Sequence, residues 1–236
     1  MKKPRSILGG DTVKEGYRHE YKYIISTQSA LLLKSRLPGI MERDPHVGST
    51  GSYTIRSLYF DDSDHDAFYE KVDGVDNRTK YRIRCYNQDL SRLKLERKEK
   101  KGHLTRKTAQ TISPETAELF QSGKVPPVQT EDLAGELRMK LLAGLRAAVV
   151  VDYDRTPFVS KLGNTRITLD ENLRTVPYST RLDAPAAGMV PVLEPGEVVM
   201  EVKFDDFLPG YLAEALSDIP KAALAVSKFA LCMGLQ

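Results

Sequence analysis

Residues 18–25 alternate in character: Arg18, Glu20 and Lys22 share one parity, and Tyr21, Tyr23 and Ile25 share the other. Period two marks a strand with two different faces. Further strands are predicted over residues 53–60, 80–86, 93–100, 103–111, 147–155, 165–170 and 198–205. Lys101-Gly102 is a hairpin turn between two of them. Helices are predicted where the period lengthens. One is capped by Ser26 or Thr27 and ends at Pro38-Gly39; a short one over residues 65–72 follows the turn Asp61-Asp62-Ser63-Asp64. Ser113 and Pro114 open a third. A fourth covers residues 131–145 after the break at Pro126-Pro127, and two more (211–217 and 226–233) flank Pro220. Residues 184–196, rich in Pro, Ala and Gly, read as a loop or mobile hairpin.

Strands with inserted helices, rather than a regular β-α-β alternation, predict a mainly β (α+β) fold, a closed antiparallel barrel with peripheral helices. No G-x-G-x-x-G or P-loop sequence occurs. Residues 1–14 read as a flexible arm and 15–236 as one domain. No apolar run reaches the roughly 18 residues of a membrane span, and the N-terminus lacks the apolar core of a signal peptide. Cys85 and Cys232 lack metal-ligand spacing and read as free, buried thiols of a reducing cytosol.

The net charge of +3 is small for 35 Lys and Arg, so placement matters more than the total. Residues two apart share a strand face. Lys80, Arg82 and Arg84 fall opposite Tyr81, Ile83 and Cys85. Lys94, Glu96, Lys98 and Lys100 fall opposite Leu93 and Leu95. Arg166, Thr168 and Asp170 oppose Ile167 and Leu169, while Glu201, Lys203 and Asp205 oppose Met200, Val202 and Phe204. A single polar strand face ordinarily meets water. Here the charged faces are biased to Lys and Arg, and amphipathic helices are available to cover the apolar faces, so closure turns the cations inward. Two cations about 6 Å apart repel by roughly 3 kcal/mol at an effective dielectric near 20. Interspersed Glu20, Glu96 and Glu201 offset part of that, and the remainder calls for a polyanionic ligand. A chain of phosphates fits a narrow bore, whereas duplex nucleic acid is too wide. Single-stranded nucleic acid needs aromatics beside the cations, and here Tyr17, Tyr21, Tyr23, Tyr81 and Tyr86 fall mostly opposite them. His19, His46, His65 and His103 sit in exposed-looking contexts, so no catalytic histidine is expected. Asp61, Asp62 and Asp64 read as helix caps, not a calcium loop.

Six motifs follow in order: Glu20-Tyr21-Lys22-Tyr23, Ile55-Arg56-Ser57-Leu58-Tyr59-Phe60-Asp61, Lys80-Tyr81-Arg82-Ile83-Arg84, Leu95-Glu96-Arg97-Lys98, Met200-Glu201-Val202-Lys203-Phe204 and Ser227-Lys228-Phe229. Together they resemble the polyphosphate polymerase domain of the vacuolar transporter chaperone (VTC) family, within the triphosphate tunnel metalloenzyme (CYTH-like) superfamily. The resemblance implies an eight-stranded tunnel that transfers the terminal phosphoryl group of ATP onto polyphosphate with Mn²⁺ or Mg²⁺. It marks Lys22, Arg82, Arg84 and Lys98 as phosphate-gripping residues, with Arg155 and Arg166 across the bore and Lys228 as a late tunnel lysine. Glu201 corresponds to the metal carboxylate, with Glu20 as its companion. Arg56, Lys80, Lys107 and Lys203 form a second tier, with Arg106 replacing Lys107 if a bulge shifts the phase. The reacting set is then Lys22, Arg82, Arg84, Arg166 and Glu201.

One departure bears on the reaction. Hydrolytic tunnel enzymes begin with two glutamates and a lysine at alternate positions, and here Arg18 stands at the first. Fewer carboxylates favour a one-metal polymerase over a tunnel triphosphatase. A catalytically silent module that senses or holds polyphosphate is the other reading. The expected setting is the cytoplasm, at the inner face of a membrane where a membrane-protein partner docks.

Overall fold

The computed structural model describes residues 16–45, 47–48, 50–125, 131–220 and 226–236. The expected arm, His46 and the Pro126-Pro127 break lie outside them. In chain order the elements are β1 (Arg18–Ser26), α1 (Thr27–Arg36), β2 (Glu42–Arg43), β3 (Tyr53–Asp61), α2 (Asp66–Val72), β4 (Asn77–Tyr86), β5 (Leu93–Lys101), β6 (Leu104–Ile112), α3 (Pro114–Gln121) and α4 (Leu133–Leu142). There follow β7 (Arg146–Ser160), β8 (Thr165–Thr175), β9 (Val190–Pro191), β10 (Glu197–Phe204), α5 (Gly210–Ala215) and α6 (Lys228–Met233).

Eight strands close in the order β7-β3-β4-β5-β6-β1-β10-β8, with β8 returning to β7; every pairing is antiparallel. The short strands β2 and β9 add to β7 and β8; both escaped the sequence reading because two residues carry no period. Closure leaves the barrel without an open edge. Gly102, at φ 56, supplies the left-handed residue of the β5–β6 turn.

The apolar strand faces turn outward and are covered. Ile167 and Leu169 of β8, with Met200, Val202 and Phe204 of β10, pack under Ala30 and Leu33 of α1 and Leu212 of α5. Leu58, Ile83, Cys85 and Leu95 pack under Phe120 of α3 and Leu137 and Leu141 of α4. Each fully buried Leu contributes roughly 1.5–3 kcal/mol. Ser26, Ser113 and Asp132 accept from backbone N–H groups at the starts of α1, α3 and α4, each cap being worth about 1 kcal/mol. Asp61 accepts from the N–H groups of Asp62, Ala67 and Phe68, fastening the start of α2 to the end of β3.

Helix α6 behaves differently. Val149 and Val151 share the inward phase of Tyr153 and Arg155 on β7, and with Ile55 they pack against Phe229 and Cys232. The last helix therefore fills the apolar part of the bore from inside. Ser227 caps it and Lys228, its first residue, reaches the charged part.

Candidate functional site

A cavity of about 360 Å³ occupies the rest of the bore. Its lining comes from six barrel strands, together with α2, α6 and the β5–β6 turn. Eleven Lys and Arg side chains and two glutamates, Glu20 and Glu201, line it.

The charges form two connected networks. On β1 and β10, Lys203 Nζ lies 3.2 Å from Glu20 and 3.0 Å from Glu201. Lys98 Nζ donates to both oxygens of Glu20, at 2.9 and 2.5 Å, and Lys22 stands within 3.9 Å of Glu20 and 3.7 Å of Glu201. Lys228 Nζ sits 2.6 Å from Glu201 and 2.6 Å from Asp170. Arg155 forks onto Asp170 with two bonds of 2.6 Å and reaches Glu201 at 3.3 Å. Burial opposes ionisation of both glutamates, but the surrounding lysines outweigh it and hold each carboxyl well below the usual range. Lys203 and Lys228 are pulled down by burial, yet their carboxylate partners raise both above the ordinary lysine value.

The second network centres on Glu96, which is fully buried. It accepts from Arg82 Nε at 2.7 Å and from Lys107 Nζ at 2.9 Å, with Arg84 3.8 Å away. Arg82 also donates to Tyr59 Oη at 2.6 Å, while Arg84 donates to Ser57 Oγ at 3.0 Å and Tyr153 Oη at 3.3 Å. Burial opposes the charge on Glu96, but Arg82, Arg84 and Lys107 keep it ionised far below the carboxylate range. Tyr59 would be raised by burial; Arg82 and Arg84 bring it below the usual phenol value instead. The two adjacent guanidinium groups are thus fixed on several atoms each, which suits bidentate capture of phosphate.

Of the residues marked by the sequence, Lys22, Lys80, Arg82, Arg84, Lys98, Arg155, Lys203 and Lys228 meet in the cavity with Glu20 and Glu201. Four others are placed differently. Arg56 shares the parity of Leu58 and Phe60 and points away from the bore; its guanidinium is buried against Asp152 at 2.7 Å and the carbonyls of Leu182 and Ala184. Arg166 has the inward parity but lies near one end, where it is held by Asp44 and Tyr53 Oη, both at 2.8 Å, outside the cavity lining. Lys107 is half exposed and reaches only the far oxygen of Glu96. Arg106 pairs with Glu99 on the outer face. Arg18 bridges Asp205 and the Asn164 carbonyl, also outside the lining. His19 is buried in a stack with Phe204 rather than exposed, and His103, at the cavity mouth, stacks on Tyr21.

The sequence reading passed over Tyr59, Tyr153, Lys71 and Arg78, all in the lining. Arg78 has the parity of Lys80 and was accessible to the same reasoning. Lys71 arrives on a helix, where strand parity has no say.

Among the described residues no group of three or more carboxylate, imidazole or thiol ligands is gathered for a metal. Glu20 and Glu201, bridged by Lys203 and Lys22, are ionised donors of the type that holds Mg²⁺ when phosphate oxygens and water complete the shell. They fit an ion shared with a bound phosphate, not a cage built by protein alone.

A closed antiparallel barrel with such a bore has the fold of the triphosphate tunnel proteins. HpAC1 from Hippeastrum, a candidate adenylyl cyclase with a dominant triphosphatase activity, shares it at a TM-score of 0.56 and 15% identity, over 92% of this chain and 95% of that one. A candidate adenylate cyclase (bh2851) from Bacillus halodurans shares it at 0.50 and 17%, over 86% and 88%. No curated protein sequence matches. The VTC domain family matches residues 17–235, and the chain belongs to that family.

Proposed function

We propose that the chain is a polyphosphate polymerase, moving the terminal phosphoryl group of ATP to the end of an inorganic polyphosphate chain inside the bore. The observation that carries this reading is the imbalance of the bore: eleven cations line it, against Glu20 and Glu201 in the lining and Glu96 and Asp170 buried behind it. Burying that many like charges is costly unless a polyanion arrives to meet them.

Phosphoryl transfer asks for in-line placement and cover for charge on the equatorial oxygens, with little covalent chemistry for the protein. Arg82 and Arg84, both drawn to Glu96, present two fixed guanidinium groups to the transferring phosphate. Lys228 and Arg155 face them from α6 and β7, and Lys22, Lys98 and Lys203 line the wall between. The acceptor is a phosphate oxygen already ionised, so transfer needs no strong general base. Glu20 and Glu201 would hold a divalent cation, Mn²⁺ or Mg²⁺, which when bound neutralises charge on neighbouring phosphate oxygens. Arg166, outside the lining, would act on the end of the ligand chain rather than on the reacting phosphate.

Hydrolysis, the activity named for the Hippeastrum neighbour, is the rival reaction. It requires a group to position or deprotonate water. The lining offers only two carboxylates, Glu20 and Glu201, both assigned here to the cation, and Arg18 adds none, which favours transfer. Incubating the protein with ATP and Mn²⁺ and sizing the anionic product on a gel tests the proposal. Long chains support it; free phosphate alone makes the chain a hydrolase; no turnover with tight polyphosphate binding makes it a sensor.

A further inference from the structure

On the outer side of α2 and the turn after it, Tyr69, Val72 and Val75 are exposed, Val72 the most at 61%. Asp73 and Asp76 stand exposed beside them, and among the described residues neither forms an ion pair. Six carboxylates fall between residues 62 and 76 against a single lysine, Lys71, which lines the cavity. Helix α4 carries the opposite charge. Met139 and Leu142, three residues apart and so on one helix face, are exposed at 59% and 57%. Lys140 is exposed between them, and Arg146, just past the helix, bonds only the carbonyls of Leu141 and Leu145. The two faces are neighbours. Arg146 stands opposite Asp61 in the β3–β7 register, and Asp61 is the residue that fastens the start of α2. Exposed apolar side chains scattered singly need no explanation; these collect on two adjoining faces of opposite charge.

We infer that these faces join two copies of this chain around a twofold axis, with α2 of each copy lying on α4 of the other. Isologous pairing requires a patch that contains its own complement. An acidic apolar face beside a basic apolar one meets that requirement, and every contact is then made twice. Tyr69, Val72 and Val75 leave water against Met139 and Leu142 of the second copy, which supplies the attraction. Asp73 and Asp76 meet Lys140 and Arg146 at the rim, where opposite charges fix partner and register more than they add affinity. The acids also rule out a second α2 as the occupant, because like charges set against each other are repelled. The same helix brings Lys71 to the cavity, so pairing holds one wall of the mouth in place. The pair itself needs nothing from the reaction proposed above.

Sedimentation velocity of the full chain over a range of concentrations and salt is the test. The wild type should pass from monomer to dimer with a micromolar dissociation constant and go no further, and the pair should loosen as salt screens the rim. Asp73→Lys and Lys140→Glu change exposed positions, where the fold is little affected. Alone, each variant sets like charges against each other at both contacts, and its dissociation constant should rise at least about tenfold. Mixed in equal amounts, the two variants should recover the dimer, because acid again faces base at both contacts. A wild type that stays monomeric, or one that grows beyond the dimer, overturns the inference. So do single variants that dimerise as the wild type does, and a mixture that stays monomeric.

Discussion

Arg82 and Glu96 stand directly opposite each other on β4 and β5, joined by bonds of 2.7 and 2.6 Å to one carboxylate oxygen. The other oxygen takes Lys107. Glu96 therefore orients one clamp arginine while lowering the net charge of the bore, and the two effects can be separated. Glu96→Gln should raise tripolyphosphate affinity, because a negative charge leaves a cation site. Polymerase turnover should nonetheless fall about tenfold or more, because Arg82 loses its ionic anchor and small misplacements cost much in transfer reactions. Calorimetry and steady-state kinetics on the same variant check both signs.

Arg84 is fixed by Ser57 and Tyr153 and is buried. Arg84→Ala should cost on the order of 100-fold or more in turnover. Arg84→Lys should restore only part, since an ammonium cannot fork onto two phosphate oxygens. Near-normal turnover in Arg84→Ala would remove it from the clamp.

Burial brings Lys80 down to about 7, against a smaller raising influence of Asp61. A bound phosphate chain favours the charged form, so above pH 7 binding takes up a proton and affinity for medium-chain polyphosphate should decline as pH rises. Lys98, which burial also pulls down, adds to the slope. Lys80→Met should flatten it, as seen by calorimetry in buffers of different ionisation enthalpy. For folding the sign reverses. The unfolded lysine titrates near ~10.4, so the native state holds fewer protons between about 7 and that value and gains stability there as pH rises.

Arg56 is as buried as any core side chain and holds Asp152 together with two carbonyls. Arg56→Met should destabilise the fold by about 3 kcal/mol, since it strands part of a buried ionic group. Denaturant unfolding should show the loss, while tripolyphosphate affinity of the folded protein stays unchanged because the side chain never enters the bore.

What the sequence disclosed follows strand parity closely. Arg82, Arg84, Lys98 and Lys203 were legible because each strand has one apolar face that must be covered, which sends the other inward. The same rule excludes Arg56, whose parity matches Leu58 and Phe60; its motif drew it in despite its phase. Parity says nothing of depth, and depth separates Arg166 and Lys107 from the lining. Depth depends on the stagger between strands, which no single strand encodes. Nor was the entry of α6 into the bore visible, because Phe229 and Cys232 would suit an outer face as well as the inward Val149 and Val151. Lys71 escaped for a related reason: only tertiary packing brings α2 over the mouth.

The most direct measurement is a crystal structure with tripolyphosphate bound. The phosphates should lie inside the barrel, with Arg82 and Arg84 on one side and Lys203 and Lys228 on another. Phosphates found on the outer surface, with the bore filled by water, would contradict the account.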